Sequence, residues 1–186
     1  WFRFNIRNLA HWTFITMASE LRVDKIIPTT GVPTGGGGGV IQIMQGVLTG
    51  NVSTSGNVDS GLQVIITPKF STSKIYVVFD GFLWCDMSGT NNDVQGGAYL
   101  TRTVSGSATN ITPDANAMRF VGSNQNYWDI GNLCMLSKLD SPNTTSAVTY
   151  KLKLHATSGT STIQLNNTFY NSSSTEAHIT AMEVSA

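Results

Sequence analysis

Charge is scarce in this sequence. Only 12% of its residues are Asp, Glu, Lys or Arg, about half the share of an average soluble domain. Ser, Thr, Asn and Gly take the vacated places, so the chain is solvated by hydroxyls and amides rather than by ions. The 11 basic and 11 acidic residues cancel to a formal net charge of zero, and no run of Lys or Arg occurs. Because nucleic-acid affinity rests mostly on neutralised phosphates, this balance argues against a DNA- or RNA-binding chain. Long apolar runs are missing too. The most apolar segment, Ile75 to Met87, carries Asp80 and Asp86, and nothing approaches the ~18 residues of a membrane span. The three histidines, His11, His155 and His178, never fall at ligand spacing with a cysteine, which excludes a zinc site. The two cysteines, Cys85 and Cys134, lie in apolar surroundings in separate strand candidates. They read as small buried hydrophobes or as a disulfide, and spacing alone does not choose.

What is present points to a folded, all-β chain. Hydrophobic residues make up 40% and aromatics 9% of 186 residues, enough for a real core and too much for disorder. Three regions separate on composition. Residues 1–16 are aromatic-rich, with two arginines and no acid. They lack an initiating methionine, whereas Met17 opens an ordinary-looking protein start, and the segment has neither the apolar core nor the cleavage site of a signal peptide. It is either an upstream extension of the reading frame or an arm. As an arm it needs a partner surface, since its large apolar side chains are not stable in water alone. Residues 17–39 follow with a short apolar-and-charged motif, then Pro, Thr and the glycine run Gly35 to Gly39. That run reads as a hinge between an N-terminal anchoring arm (1–39) and a sandwich domain (40–186). No Lys-Ser/Thr follows it, so it is not a phosphate loop.

From Val40 onward the period is two. Val148, Tyr150, Leu152 and Leu154 alternate with polar residues, the pattern of a half-buried strand. Ile163, Leu165 and Phe169 extend a similar pattern. Leu62 to Thr67 and Lys74 to Cys85 are β-branched and aromatic runs separated by Pro68 and a Ser-Thr-Ser cluster. Further strands are expected at Val40 to Thr49, Gly97 to Val104, Ala117 to Val121, Tyr127 to Leu136 and His178 to Val184. About nine short strands with Gly/Asn/Ser/Thr turns and no convincing amphipathic helix predict an antiparallel β-sandwich, with a jelly roll as first choice. Pro68 and Pro142 are expected to end strands. Asp140-Ser141-Pro142-Asn143 is expected to be a turn whose side chains bond nearby amides.

Several of these segments form a pattern. Met17 to Gly31 reads MASELRVDKIIPTTG. Ile66-Thr67-Pro68 precedes Ser73-Lys74-Ile75-Tyr76-Val77, Leu139-Asp140-Ser141-Pro142 leads through Thr144-Thr145-Ser146 to Tyr150, and Ile179-Thr180-Ala181-Met182-Glu183-Val184 closes the chain. The sequence from Met17 to Ala186 resembles tail-fibre-like virion proteins of marine and cyanobacterial phages; residues 1–16 depart from that pattern. The resemblance implies a non-enzymatic virion component, assembled in the host cytoplasm. It would dock by its N-terminus to other virion proteins and display a β-sandwich, with host attachment as its candidate role. The alternatives are a capsid decoration or head-fibre protein, or a carbohydrate-binding module. A homotrimer is expected, because association would bury apolar surface that a low-charge sandwich leaves available.

Residue by residue, particle docking is assigned to Leu21, Val23, Ile26 and Ile27, with Trp1, Phe4 and Trp12. Trp84, Tyr99, Tyr127 and Trp128 are candidates for receptor or host-surface glycan contact, since aromatics stack on sugars; core or interface positions are the plainer reading. No catalytic, cofactor or metal residues are assigned, and neither nucleic acid nor membrane insertion is expected. Asp80 and Asp86, six apart on one strand, would stand ~20 Å apart, beyond the roughly 5–10 Å of a glycosidase carboxylate pair. His155 and His178, at strand ends, read as surface residues rather than members of a triad.

Overall fold

The computed structural model describes residues 39–88, 93–113, 115–121, 127–156, 161–166 and 175–185. They form eleven strands and no helix: β1 Val40–Leu48, β2 Val52–Thr54, β3 Val58–Ile66, β4 Lys74–Ser88, β5 Asp93–Val104, β6 Ser107–Asn110, β7 Ala115–Val121, β8 Tyr127–Asp140, β9 Val148–Ala156, β10 Ser161–Leu165 and β11 Ala177–Val184. Every pairing between them is antiparallel.

Two long strands organise the rest. One edge of β4 takes β11 along Lys74 to Asp80 and β10 along Leu83 to Met87, while its other edge takes β8 throughout. β1 then pairs with β11, and β2 with β10. The first sheet therefore has four ranks: β1/β2, β11/β10, β4, β8. In the second sheet, β5 takes β7 and β6 end to end on one edge and β9 on the other, and β3 lies outside β9. Its ranks are β3, β9, β5, β7/β6. Counting each divided rank as one strand, the chain changes sheet at every connection except the one from β5 to β6/β7. This eight-strand order is that of a jelly roll. The C-terminal strand lies inside the first sheet, between β1 and β4.

Alternation decides which side chains fill the space between the sheets. β9 buries Val148, Tyr150, Leu152 and Leu154; β11 buries Ala177, Ile179 and Ala181; β3 buries Leu62, Val64 and Ile66. They meet Ile75, Val77, Phe79 and Leu83 of β4 and Leu100 of β5 in one core. β5 and β6 are joined by Ser105 and Gly106, at φ 49° and 86°, the two-residue mirror-image turn that matches the strand twist.

The strand count exceeds the expected nine because β2 and β6 are three and four residues long, too short for a periodic signal. A second correction concerns Asp140. It is not a turn residue bonding nearby amides but the buried last residue of β8. Its carboxylate accepts hydrogen bonds from Arg102 Nη1 at 2.8 and 3.0 Å and from the Tyr150 hydroxyl at 2.8 Å. Because Arg102 lies on β5 and Tyr150 on β9, this cluster fastens the first sheet to the second. Burial and the adjoining Asp140 carboxylate push the Tyr150 hydroxyl well above its ordinary pKa.

Glu183, fully buried on β11, is a second fastener. Its carboxylate accepts from the Lys69 amide at 2.7 Å, the Phe70 amide at 3.4 Å and Gln42 Nε2 at 2.6 Å. It thereby holds the β3–β4 turn against the C-terminal strand. Buried charges of this kind are tolerated only when their lone pairs are taken up by donors.

Candidate functional site

The outward side of the first sheet is the part of the surface that departs most from an ordinary solvated face. The register builds it in cross-strand rows. Ile43, Met182, Tyr76 and Leu139 form one row across all four ranks, and Val47, His178, Asp80 and Met135 form another four residues further along. Gln45, Thr180, Val78 and Ser137 lie between them. Large apolar side chains here remain exposed: Leu133 at 80%, Met135 at 73%, Ile43 at 58%. An exposed apolar patch of several hundred Å² on a soluble domain marks an interaction surface.

A cleft of about 540 Å³ opens on this side, lined by Asp80, Phe82, Leu133, Met135 and Glu176 among others. His178 sits beside it, with Nδ1 3.3 Å from Asp80 Oδ2 and Nε2 3.5 Å from Glu176 Oε2. An apolar floor beneath two exposed carboxylates suits an apolar or positively charged side chain. Among the described residues no group of His, Cys, Asp and Glu is placed to hold a metal ion. Asp80 and Asp86 lie along the same strand, as the sequence indicates.

The predicted site residues fare unequally. Leu21, Val23, Ile26, Ile27, Trp1, Phe4 and Trp12 lie outside the described residues. Tyr127 and Trp128 are placed in β8, opposite Ser88 and Met87, but their side chains lie outside the described ones. Trp84 and Tyr99 are largely covered, retaining 9% and 7% of their surface. Trp84 points outward from β4, yet its ring is tilted against Phe82 with centroids 6.3 Å apart. Both rings lie over Gly131 of β8, where an added Cβ would come within 2.4 Å of Phe82 and 2.5 Å of Trp84. The glycine opens the space that buries the tryptophan.

The two cysteines form no disulfide with each other. On adjacent strands, Cys134 pairs with Gly81 whereas Cys85 pairs with Ile130, so they are four residues out of register, ~13 Å along the strand. Burial raises the pKa of the Cys134 thiol, as expected of a small packed hydrophobe rather than a reactive group.

The sequence reading missed the outward row residues. A signal was present: Leu133-Cys134-Met135-Leu136 is apolar on both alternating sets. Such a run fits a strand covered on both faces, yet Leu133 and Met135 face outward and remain exposed.

No family model and no curated protein matches the chain. Among solved structures it is similar to the structure of Eiger TNF from S. frugiperda, at 11% identity and a TM-score of 0.38, covering 77% of this chain and 92% of that one. It is also similar to the structure of the infectious bursal disease virus Gx strain, at 11% identity and a TM-score of 0.32, covering 85% of this chain and 42% of that one.

Proposed function

We propose that this chain is a non-enzymatic structural subunit of a phage virion, of the tail-fibre-like kind. Residues 1–39 dock it to other virion proteins, the sandwich is displayed outward, and the subunits associate as homotrimers. The observation that carries this reading is where the shared motifs fall. Asp140 and Tyr150, both in the third motif, bond to each other, and Glu183 of the terminal motif holds the turn that follows Ile66-Thr67-Pro68. The residues that define the resemblance are fasteners of a sandwich, not members of a reacting constellation. The exposed apolar side of the first sheet supports the same reading, because a subunit of an assembly has surface to bury that a solitary domain does not.

Locating the chain in purified particles by cryo-electron microscopy tests this. Density for the sandwich on the tail, in multiples of three, supports the proposal. Density on the head selects the capsid-decoration alternative, and absence of the chain from purified particles overturns both. The carbohydrate-binding alternative is weakened by the burial of Trp84 and Tyr99.

A further inference from the structure

β8 is the outer rank of the first sheet on one side. It pairs with β4 along all 14 of its residues with no register shift, and among the described residues no strand takes its other edge. The opposite side of the sandwich is closed. There Gly46 of β1 lies so close to the Gln63 carbonyl of β3 that a Cβ has no room, and Gln42 Nε2 donates to the Thr67 carbonyl at 2.7 Å. Native proteins commonly blunt an open edge with proline, a bulge or a central charge. β8 has none of these between Asp129 and Lys138. It also carries Leu133 and Met135, the most exposed large apolar side chains among the described residues. We infer that the edge of β8 pairs antiparallel with β8 of a second copy, about a two-fold axis through Leu133 normal to the sheet. This contact is additional to the three-fold association proposed above and does not depend on it.

The strand's own sequence selects the occupant and the register. Residues directly opposite in an antiparallel pair share a face. A two-fold pair that keeps both outward sides together must therefore be centred on a residue rather than between two. Centred on Leu133, the pairing sets Leu136 opposite Ile130 and Leu139 opposite Tyr127 of the second copy, with Ser137 opposite Asp129. Apolar residues meet apolar ones, the polar pair falls together, and no like charges oppose. Centring on Cys134 would set Lys138 opposite Ile130 and Asp129 opposite Leu139; centring on Asn132 would set Asp129 opposite Met135. An unrelated strand would need this match by coincidence, whereas β8 supplies both halves of it. Because the axis is normal to the sheet, the right-handed twist continues from β4 through both copies of β8. On this side the second sheet ends at β7 and β6, one rank beyond β5 as β8 is one rank beyond β4. Pairing over residues 127–139 of each copy supplies on the order of twelve main-chain hydrogen bonds.

The test uses the full chain. Leu133→Cys in a Cys134→Ala background places a thiol opposite its own copy, at a Cα separation that a disulfide spans. With copper phenanthroline as oxidant it is expected to give a covalent dimer. Met135→Cys in the same background stands ~14 Å along the pair from its own copy and is expected to give none. Leu133→Lys and Leu133→Glu each oppose like charges across the axis and are expected to weaken pairing about tenfold or more, read by mass photometry. An equal mixture of the two is expected to restore mixed pairs, read by native mass spectrometry. Where either charged variant is unfolded by circular dichroism, the cysteine cross-link decides alone. A cross-link at Leu133→Cys and none at Met135→Cys, in assemblies of two or of six, supports the inference. Trimers that give no Leu133→Cys cross-link and ignore both charged variants overturn it and leave the homotrimer reading standing. Pairs without trimers overturn the homotrimer reading and leave the inference standing. A monomeric wild-type chain, or cross-linking at Met135→Cys in place of Leu133→Cys, overturns the inference.

Discussion

Lys151, Lys153 and His155 follow one another along the outside of β9, with Thr101 and Thr103 beside them on β5. On the outside of the first sheet, the equivalent positions hold Ile43, Val47, Tyr76, Met135 and Leu139. Both faces arise from the same alternation around one core, and both belong to sheets of four ranks. In the second sheet alternation separates apolar from polar residues, and Lys151 closes an ion pair with Asp59 at 2.8 Å. Among the described residues, Ile65, 50% exposed on β3, and Tyr99 on β5, opposite Lys153, are exceptions there. In β4 and β8 of the first sheet both alternating sets are largely apolar. A face adapted only to water does not need the second set, so the first sheet is the one whose outward side departs from an ordinary solvated face.

The comparison is most easily broken by separating the sheets. Asp140→Ala would leave Arg102 without its carboxylate at a largely buried position, and is expected to cost about 3–5 kcal/mol. A urea midpoint unchanged from wild type would show that the cluster does not fasten the two sheets. Tyr150→Phe keeps the ion pair and removes one charge-assisted hydrogen bond, for an expected loss of about 1.5–3 kcal/mol. It also carries a pH signature. The folded pKa of Tyr150 lies above its ordinary value of 10.0, so the stability tied to its protonated form is fully present below pH 10.0 and lost as pH rises through and beyond it. The wild type should therefore weaken above that pH more steeply than Tyr150→Phe, as followed by unfolding across an alkaline series.

Gly131→Val sharpens the comparison on the apolar side. The new side chain would displace Phe82 and Trp84, at an expected cost of about 1–3 kcal/mol. A shift of the tryptophan emission toward that of solvated indole should accompany it; an unchanged spectrum would mean that the rings do not depend on the glycine. The smallest effect lies on the polar side. Burial raises the Asp59 pKa, but the Lys151 hydrogen bond, the Gly61 amide and the charges of Lys151 and Lys153 outweigh it, leaving the carboxyl below its ordinary value of 3.8. Its contribution is present above pH 3.8 and lost as pH falls through the folded pKa. Asp59→Asn should therefore cost about 0.2–1 kcal/mol near neutrality, and the difference from wild type should vanish in acid. A difference that persists there would assign Asp59 a role beyond the ion pair.

Much of the sandwich was legible as text. The alternation in β9 and β10 predicted half-buried strands because a two-residue period has one structural meaning. Pro68 and Pro142 both follow strand ends, at Ile66 and Asp140, since proline supplies no ladder donor. What escaped were contacts between residues far apart in sequence. Asp140 sits in a Ser-Pro-Asn context typical of turns, and only its position beside Arg102 and Tyr150 makes it a fastener. Trp84 looks in the sequence like an aromatic available for stacking, and only the glycine opposite, 47 positions later, accounts for its burial.

By itself, then, the order of residues settled the strand period, the antiparallel class and the scarcity of charge, because these follow from local sterics and composition. It did not settle which of two apolar sets along β4 and β8 would face the core. That depended on the register between β8, β4, β11 and β1, and on the second sheet packing against one side of the first, so that only one of the two sets meets the core. Pairing register is a property of strands meeting across the fold, and the exposed apolar rows exist only once those strands have met.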